Sequence, residues 1–177
     1  MILRMTVKKI RVTLTIARIA KVIGVNSELE DGKHILMWDF DDVLLPDICQ
    51  DLRRVQTRYL LSDIHICRTK EPTEAVTELG ENGLDLIVKT PATYGNYIAY
   101  CFSSQDWKTA VEIVAQTHLV DWQFLRFGVY RSHFTLRVTP KNEREIKLAH
   151  RLEGYELPDC KPSDLKSWVR YETLSWR

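Results

Sequence analysis

Hydrophobic and polar residues alternate along the first part of the chain with the period of a β-strand. Residues 10–16 place isoleucine, valine and leucine on one side and Arg11 with threonines on the other, which predicts a half-buried strand. A second apolar run covers residues 19–25, and Asp31 and Gly32 form a turn signal before a third run at 35–40. We therefore expect the first two elements to form an antiparallel hairpin that precedes a buried strand at 35–40.

Three later stretches have helical spacing instead. Pro46 begins a segment, ending near Leu60, whose apolar residues share one side of a helix: Ile48, Leu52, Val55 and Tyr59. Ser103 and Ser104 can cap a second helix with its own apolar stripe: Trp107, Val111, Val114 and His118. A charged segment from residue 142 predicts a third helix through Ile146, Ala149 and Leu152.

The remaining segments predict short strands. They cover residues 64–67, 84–88, 97–102, 120–127 and 134–139, with a loop over 69–83 and a turn at Gly128. A doubly wound parallel sheet would need a helix between nearly every pair of strands, so this order predicts an α+β fold with helices on one side of the sheet. Its core resembles an RRM-like β-α-β-β-α-β palm over about 33–141, within a single domain 1–177 whose helical tail covers 142–177.

Composition excludes several classes of protein. The 177 residues are 45% hydrophobic and 28% charged, with a net charge of +1, which excludes a uniformly basic nucleic-acid coat protein and wholesale disorder. The four cysteines form no Cys-x-x-Cys pair, so they predict neither a zinc knuckle nor a disulfide framework and fit a reducing cytosol. No apolar run reaches transmembrane length, and lysines and arginines interrupt the first 25 residues. We expect a cytoplasmic protein without a membrane partner.

An acid cluster stands at the end of the apolar run 35–40. Asp39 and Asp41 are two residues apart on a predicted strand, so both carboxylates project from one face and repel each other. A divalent cation is the usual compensation for such a pair. The alternative is a turn before a helix, with Asp42 or Asp47 as the cap. Asp121, in a Val-Asp-Trp triplet, is either a third metal ligand or a turn residue.

Cationic residues are concentrated farther along the chain. Residues 122–151 contain two glutamates against a larger basic set: Arg126, Arg131, His133, Arg137, Lys141, Arg144, Lys147 and Arg151. Such a row suits phosphates, although a solvated strand face is the alternative. The turn-rich residues 90–97 can likewise approach a phosphate or simply connect two strands. Acids and cations together indicate phosphoryl or nucleotidyl transfer assisted by one or two Mg²⁺ or Mn²⁺ ions.

Three short motifs, in matching order, resemble the catalytic core of the archaeo-eukaryotic primase superfamily. Trp38-Asp39-Phe40-Asp41 is similar to its Asp-x-Asp motif, Val120-Asp121 to its later acid, and residues 134–141 to its phosphate-contacting strand. Where that family places a histidine, this chain has Asn96. The resemblance implies single-stranded DNA and nucleoside triphosphates as partners and a separate helicase or replication protein. It also implies roles for individual residues: metal binding for Asp39, Asp41 and Asp121, nucleotide binding for Asn96, Tyr97, His133, Arg137 and Lys141, and nucleic-acid binding for Arg126 and Arg131.

Residues 39–44 also resemble the nucleophile loop of haloacid dehalogenase-like phosphohydrolases, with Asp39 as nucleophile and Asp41 as acid/base. The downstream acidic motif that holds Mg²⁺ in that family has no counterpart here, and the hairpin-rich order does not suit its α/β fold. A third hypothesis is a non-catalytic nucleic-acid-binding replication module on the same palm. Such a module would keep the cationic row and tolerate the loss of metal binding.

Overall fold

The computed structural model describes residues 2–7, 10–15, 18–70, 94–141 and 145–175, and the side chains of 19–70, 94–141 and 145–172. Described elements in chain order are β1 (Ile2–Val7), β2 (Ile10–Thr15), β3 (Arg18–Asn26), β4 (His34–Val43), α1 (Leu45–Tyr59), β5 (Ile64–Lys70), β6 (Gly95–Gln105), α2 (Trp107–Ala115), α3 (Trp122–Arg131), β7 (Thr135–Arg137), β8 (Lys147–Leu152) and β9 (Trp168–Ser175). A short 3₁₀ helix, Pro162–Asp164, precedes β9. The strand predicted at 84–88 and most of the loop predicted at 69–83 lie outside the described residues.

The described strands form three antiparallel sheets. The largest has the order β4-β6-β5-β8, the second β7-β3-β9, and the third is the hairpin β1-β2. The predicted α+β class is confirmed, and every pairing between described strands is antiparallel. Strand β6 lies between β4 and β5, which α1 connects in sequence. The strand that follows the later helices, β7, pairs with β3 and not within the largest sheet. Within the described ranges, no helix is long and apolar enough to span a bilayer.

Strand β4 separates a helical layer from the candidate site. Trp38 and Phe40 are fully buried on the side of the helices, and Trp38 donates from its indole N–H to the hydroxyl of Thr117 at 2.9 Å. Asp39 points to the other side, because side chains alternate along a strand. The predicted helix at 46–60 is confirmed as α1, with Ile48, among others, buried on its inner face. The side of β4 that carries Trp38 and Phe40 therefore packs on the helices, and the opposite side, where Met37 is also fully buried, carries Asp39 near its end.

The predicted strand at 120–127 is wrong, because this segment forms helix α3. Asp121 caps the helix by accepting a hydrogen bond from the backbone N–H of Phe124 at 2.7 Å. Gly128, predicted as a turn, lies inside the helix where the ring of Phe134 occupies the space of a β-carbon. Close packing on Phe134 therefore stabilises the helix, in which Leu125 and Gly128 are buried at a spacing of three residues.

The predicted C-terminal helix is also wrong. Its residues form β8, which pairs with β5, and Leu152 is buried opposite Ile64. Residues 168–175, which also belong to the predicted helical tail, form strand β9 instead. At the other end of the chain, β2 pairs with β1 while β3 pairs with β7 and β9, so the hairpin has different partners from those predicted. Likewise, α2 is capped by Asp106, since the serines predicted as caps lie within β6.

Candidate functional site

The three acids singled out from the sequence meet at the end of β4. Asp39 and Asp41 lie on this strand, and the backbone N–H of Asp121 donates to the carbonyl oxygen of Asp39 at 2.8 Å. That hydrogen bond attaches the start of α3 to the edge of β4 that pairs with no other described strand. It explains why residues distant in sequence are neighbours here.

Asp39 is a carboxyl group in an unfavourable environment for its charge. Burial, together with the nearby carboxylates of Asp41 and Asp121, raises its pKa to about 7, while Arg137 acts against them. Burial and the charges of Asp121 and Asp42 also raise the pKa of Asp41. A cation placed between these carboxylates would offset their repulsion. Asp39 and Asp41 would then lose their protons at a lower pH.

The chain leaves its regular strand geometry beside these acids. The pairing of β4 with β6 is shifted between Phe40 and Val43, and Asp42 has a left-handed φ of 52°. Such bulges re-aim side chains and are common next to active sites. Asn96 on β6 donates its amide N–H to the carboxylate of Asp41, and its own amide oxygen is buried without a partner among the described residues.

A cavity of about 180 Å³ opens between α3, β4 and β7. Its walls combine carboxylates, cationic side chains and aromatic rings: Asp39, Asp121, Gln123, Phe124, Phe127, Gly128, Arg131, His133 and Thr135. The ring of Phe124 stacks on Phe134 at a centroid distance of 5.1 Å, and Arg131 lies over the ring of Phe127 at 5.5 Å. One small cavity thus offers both hard oxygen ligands and anion-binding groups.

The second sheet supplies further groups beside the cavity. Arg137 on β7 lies near enough to Asp39 to oppose the rise in its pKa. The hydroxyl of Tyr100 on β6 donates to the carbonyl oxygen of Arg137 at 3.4 Å. Tyr171 on β9 also interacts electrostatically with Arg137 and Asp39. The site is therefore formed where the two larger sheets meet.

The structure brings together most of the predicted site residues. Asp39, Asp41, Asp121, Asn96, Arg131, His133 and Arg137 lie at or beside the cavity. Tyr97 does not, since it pairs with Phe40 on the helical side of the sheet and is buried there. Arg126 is exposed on α3, and Lys141 lies beyond the end of β7.

Sequence reasoning missed Tyr100, Phe124, Phe127 and Tyr171. Tyr100 was detectable in principle, because it lies four residues after Asn96 along β6 and an even spacing puts both side chains on one face of the strand. Tyr171 belongs to a stretch whose alternation, Val169 to Leu174, is typical of a strand.

The donor set suits a hard divalent cation better than a soft one. Carboxylate and amide oxygens are the ligands that Mg²⁺ and Mn²⁺ prefer. In the part of the chain that the structure describes, no group of three or more His, Cys, Asp or Glu side chains is arranged so that it could hold a metal ion by itself. One oxygen of Asp121 is engaged as the helix cap. Asp39 and Asp41 are therefore the principal candidate ligands, and Asp121 contributes mainly through its charge.

The chain matches no protein-family model, no curated protein and no solved structure. Inferences about function therefore depend on the residues and geometry described above.

Proposed function

We propose that this protein is a primase- or polymerase-like nucleotidyltransferase, which uses Mg²⁺ or Mn²⁺ and nucleoside triphosphates on a single-stranded DNA template. One observation carries the proposal. Asp39 and Asp121 line the same cavity as Arg131 and His133, and the charges of Asp41 and Arg137 lie close enough to act on Asp39. Carboxylates that hold metal next to cations that hold phosphate are the recurring parts of phosphoryl-transfer sites.

Each residue has a defined task in this proposal. Asp39 and Asp41 would hold the metal, which when bound activates the attacking hydroxyl and neutralises phosphate charge. Arg131 and Arg137 can form bidentate hydrogen bonds to phosphate oxygens, and His133 can donate a further one. Because Asp39 has a pKa of about 7, only a fraction of the molecules carries a proton on it at neutral pH. Those molecules would release that proton when metal binds.

The fold favours this function over a haloacid dehalogenase-like phosphohydrolase. That resemblance implies a parallel α/β fold, whereas every pairing between described strands is antiparallel. The arrangement of β4, α1, β5 and β6 supports the RRM-like palm, although the edge strand β8 and the pairing of β7 with β3 differ from the predicted core.

Helix α3 supports single-stranded DNA as a partner. Trp122 and Tyr130 are 65% and 87% exposed, and Arg126 lies midway between them at helical spacing, so all three share one side. Stacking rings interleaved with cations bind single strands without sequence preference. Asp121 caps the helix next to Trp122, so one end of this side adjoins the acids. We further propose a cytoplasmic location, which the four free cysteines support, and a separate helicase partner.

The test is calorimetry with Mn²⁺ and a nucleoside triphosphate. Wild type should bind the triphosphate only with metal, and Asp39→Ala/Asp41→Ala should lose this binding while its melting temperature is not lowered. Glu153→Ala/Glu156→Ala, which removes two exposed acids elsewhere, is the matched control and should bind as wild type does. Unfolding of the Asp39/Asp41 variant, or undiminished binding, would contradict the proposal. Phosphatase turnover would favour the phosphohydrolase instead.

Helix α3 is tested separately by binding of single-stranded DNA. Trp122→Ala/Tyr130→Ala should weaken binding by about tenfold or more, because each stacked base contributes roughly 1–3 kcal/mol. The affinity of wild type should fall with rising salt. Tyr155→Ala, which removes an exposed ring elsewhere, should have no effect. Salt-sensitive DNA binding without any triphosphate binding would leave the protein as a non-catalytic recognition module.

A further inference from the structure

Tyr171 lies on the sheet face that borders the candidate site. It pairs with Val22 in the register of β9 with β3, and Gly24, two residues on, pairs with Arg137 of β7. Alternation along each strand therefore puts Tyr171 and Arg137 on the same face of this sheet. Thr135, which lines the cavity, belongs to that face as well.

Gly24 lets the ring of Tyr171 lean across the sheet. A β-carbon at Gly24 would lie 2.8 Å from Cε1 of Tyr171, 3.0 Å from the carbonyl oxygen of Leu136 and 3.2 Å from Cγ2 of Thr135. Any side chain at this position would have to displace the ring, since the backbone of β7 blocks the other direction. The ring of Tyr171 thus packs against the backbone of β3 at Gly24, where there is no side chain.

Tyr171 is accessible to solvent and interacts with the charged groups of the site. The residue remains 38% exposed although its ring is supported from below. Burial raises the pKa of the phenol, the charges of Arg137 and Arg131 lower it, and that of Asp39 raises it. The ring therefore lies between solvent and the charged groups of the site.

We propose that Tyr171, supported by Gly24 beside Arg137, is the surface on which the base of a bound nucleoside triphosphate packs. This inference rests on the proposed nucleotide-binding function and names the part of the site that contacts the base. A ring that is already held in place loses little conformational entropy when a flat base packs on it. The cations next to it would meanwhile receive the phosphates.

The test compares two ligands that differ only in the presence of a nucleoside: ATP and inorganic tripolyphosphate, each titrated with Mn²⁺ by calorimetry. Tyr171→Ala should weaken ATP binding about tenfold and leave tripolyphosphate binding unchanged. Tyr171→Phe keeps the ring and should bind both ligands as wild type does. Trp168→Ala is the matched control, because this exposed aromatic residue lies on the same strand but on its opposite face.

A second variant addresses the support of the ring. Gly24→Ala keeps the phenol but displaces it, and should produce the same selective loss of ATP affinity in protein whose melting transition remains cooperative. Equal losses for both ligands in Tyr171→Ala, or no loss for either, would overturn the assignment of Tyr171 while leaving the triphosphate site intact. Wild type that binds neither ligand would overturn the proposed function itself, and this inference with it.

Discussion

Asp39 and Asp51 are two carboxyl groups largely withdrawn from water, and they differ in what surrounds them. Asp51, on α1, is 8% exposed and accepts hydrogen bonds from Arg54 at 2.8 Å and from the backbone N–H of Leu119 at 2.9 Å. The charges that act most strongly on Asp39 are those of two other carboxylates, and they act with burial to raise its pKa.

The difference separates a carboxylate with a structural role from one for which we propose a functional role. A buried carboxylate that is paired and hydrogen-bonded stabilises the fold, here by joining α1 to the loop before α3. A carboxylate that is desolvated next to like charges destabilises the folded chain until a cation or proton arrives. Groups of the second kind are concentrated at functional sites, and this makes Asp39 the better indicator of activity.

The largest effect is expected from neutralising Asp39. Asp39→Asn keeps the shape of the protonated acid, so the free energy of unfolding at pH 8 should rise by up to about 4 kcal/mol, while metal-dependent triphosphate binding is lost. The reason is that folding raises the pKa of Asp39 to about 7, and at pH 8 the folded chain carries an unfavourable charge that the unfolded chain solvates freely. Urea denaturation of both proteins measures the difference. A lower stability of the variant would contradict this account of Asp39.

The second prediction concerns pH. Folding raises the pKa of Asp39, so the group favours the folded state only while it is protonated. This contribution to the free energy of unfolding is fully present below the unfolded pKa and is lost as the pH rises through the folded pKa of about 7. The stability advantage of Asp39→Asn over wild type should therefore grow by about 3 kcal/mol between pH 5 and pH 8. Using the difference between the two proteins cancels other titrations, such as that of buried His34, whose lowered pKa acts in the opposite direction. A difference that does not change with pH would show that Asp39 is not the titrating group.

The contrast between Asp39 and Asp51 could be predicted only in part from the sequence. The alternation of β4 places Asp39 and Asp41 on one face, and the stripe of α1 identifies Ile48 and Leu52 as core, so both elements follow from local periodicity. The approach of Asp121 depends on a hydrogen bond to the carbonyl of Asp39, which no local pattern encodes.

Other parts of the fold were decided by long-range contacts. Residues 147–152 have helical spacing, yet pairing with β5 makes them a strand. Residues around Gly128 form a helix because Phe134 packs against the space that the glycine leaves. Tyr171 joins the site only through the register of β9 with β3, so its proximity to Arg137 could not be read from its position in the chain.

The smallest effect is expected at Asp51. Asp51→Asn removes the charge that Arg54 pairs with but keeps an oxygen that can accept from Leu119, so the free energy of unfolding at pH 7 should fall by roughly 2 kcal/mol. Arg54→Ala should lower it by less than about 1 kcal/mol, because the arginine is 42% exposed and water screens its charge. Urea denaturation of the two variants beside Asp39→Asn gives the ranking directly. If Asp51→Asn stabilised the protein as Asp39→Asn is expected to, hydrogen-bonded pairing would not be what distinguishes the two carboxyl groups.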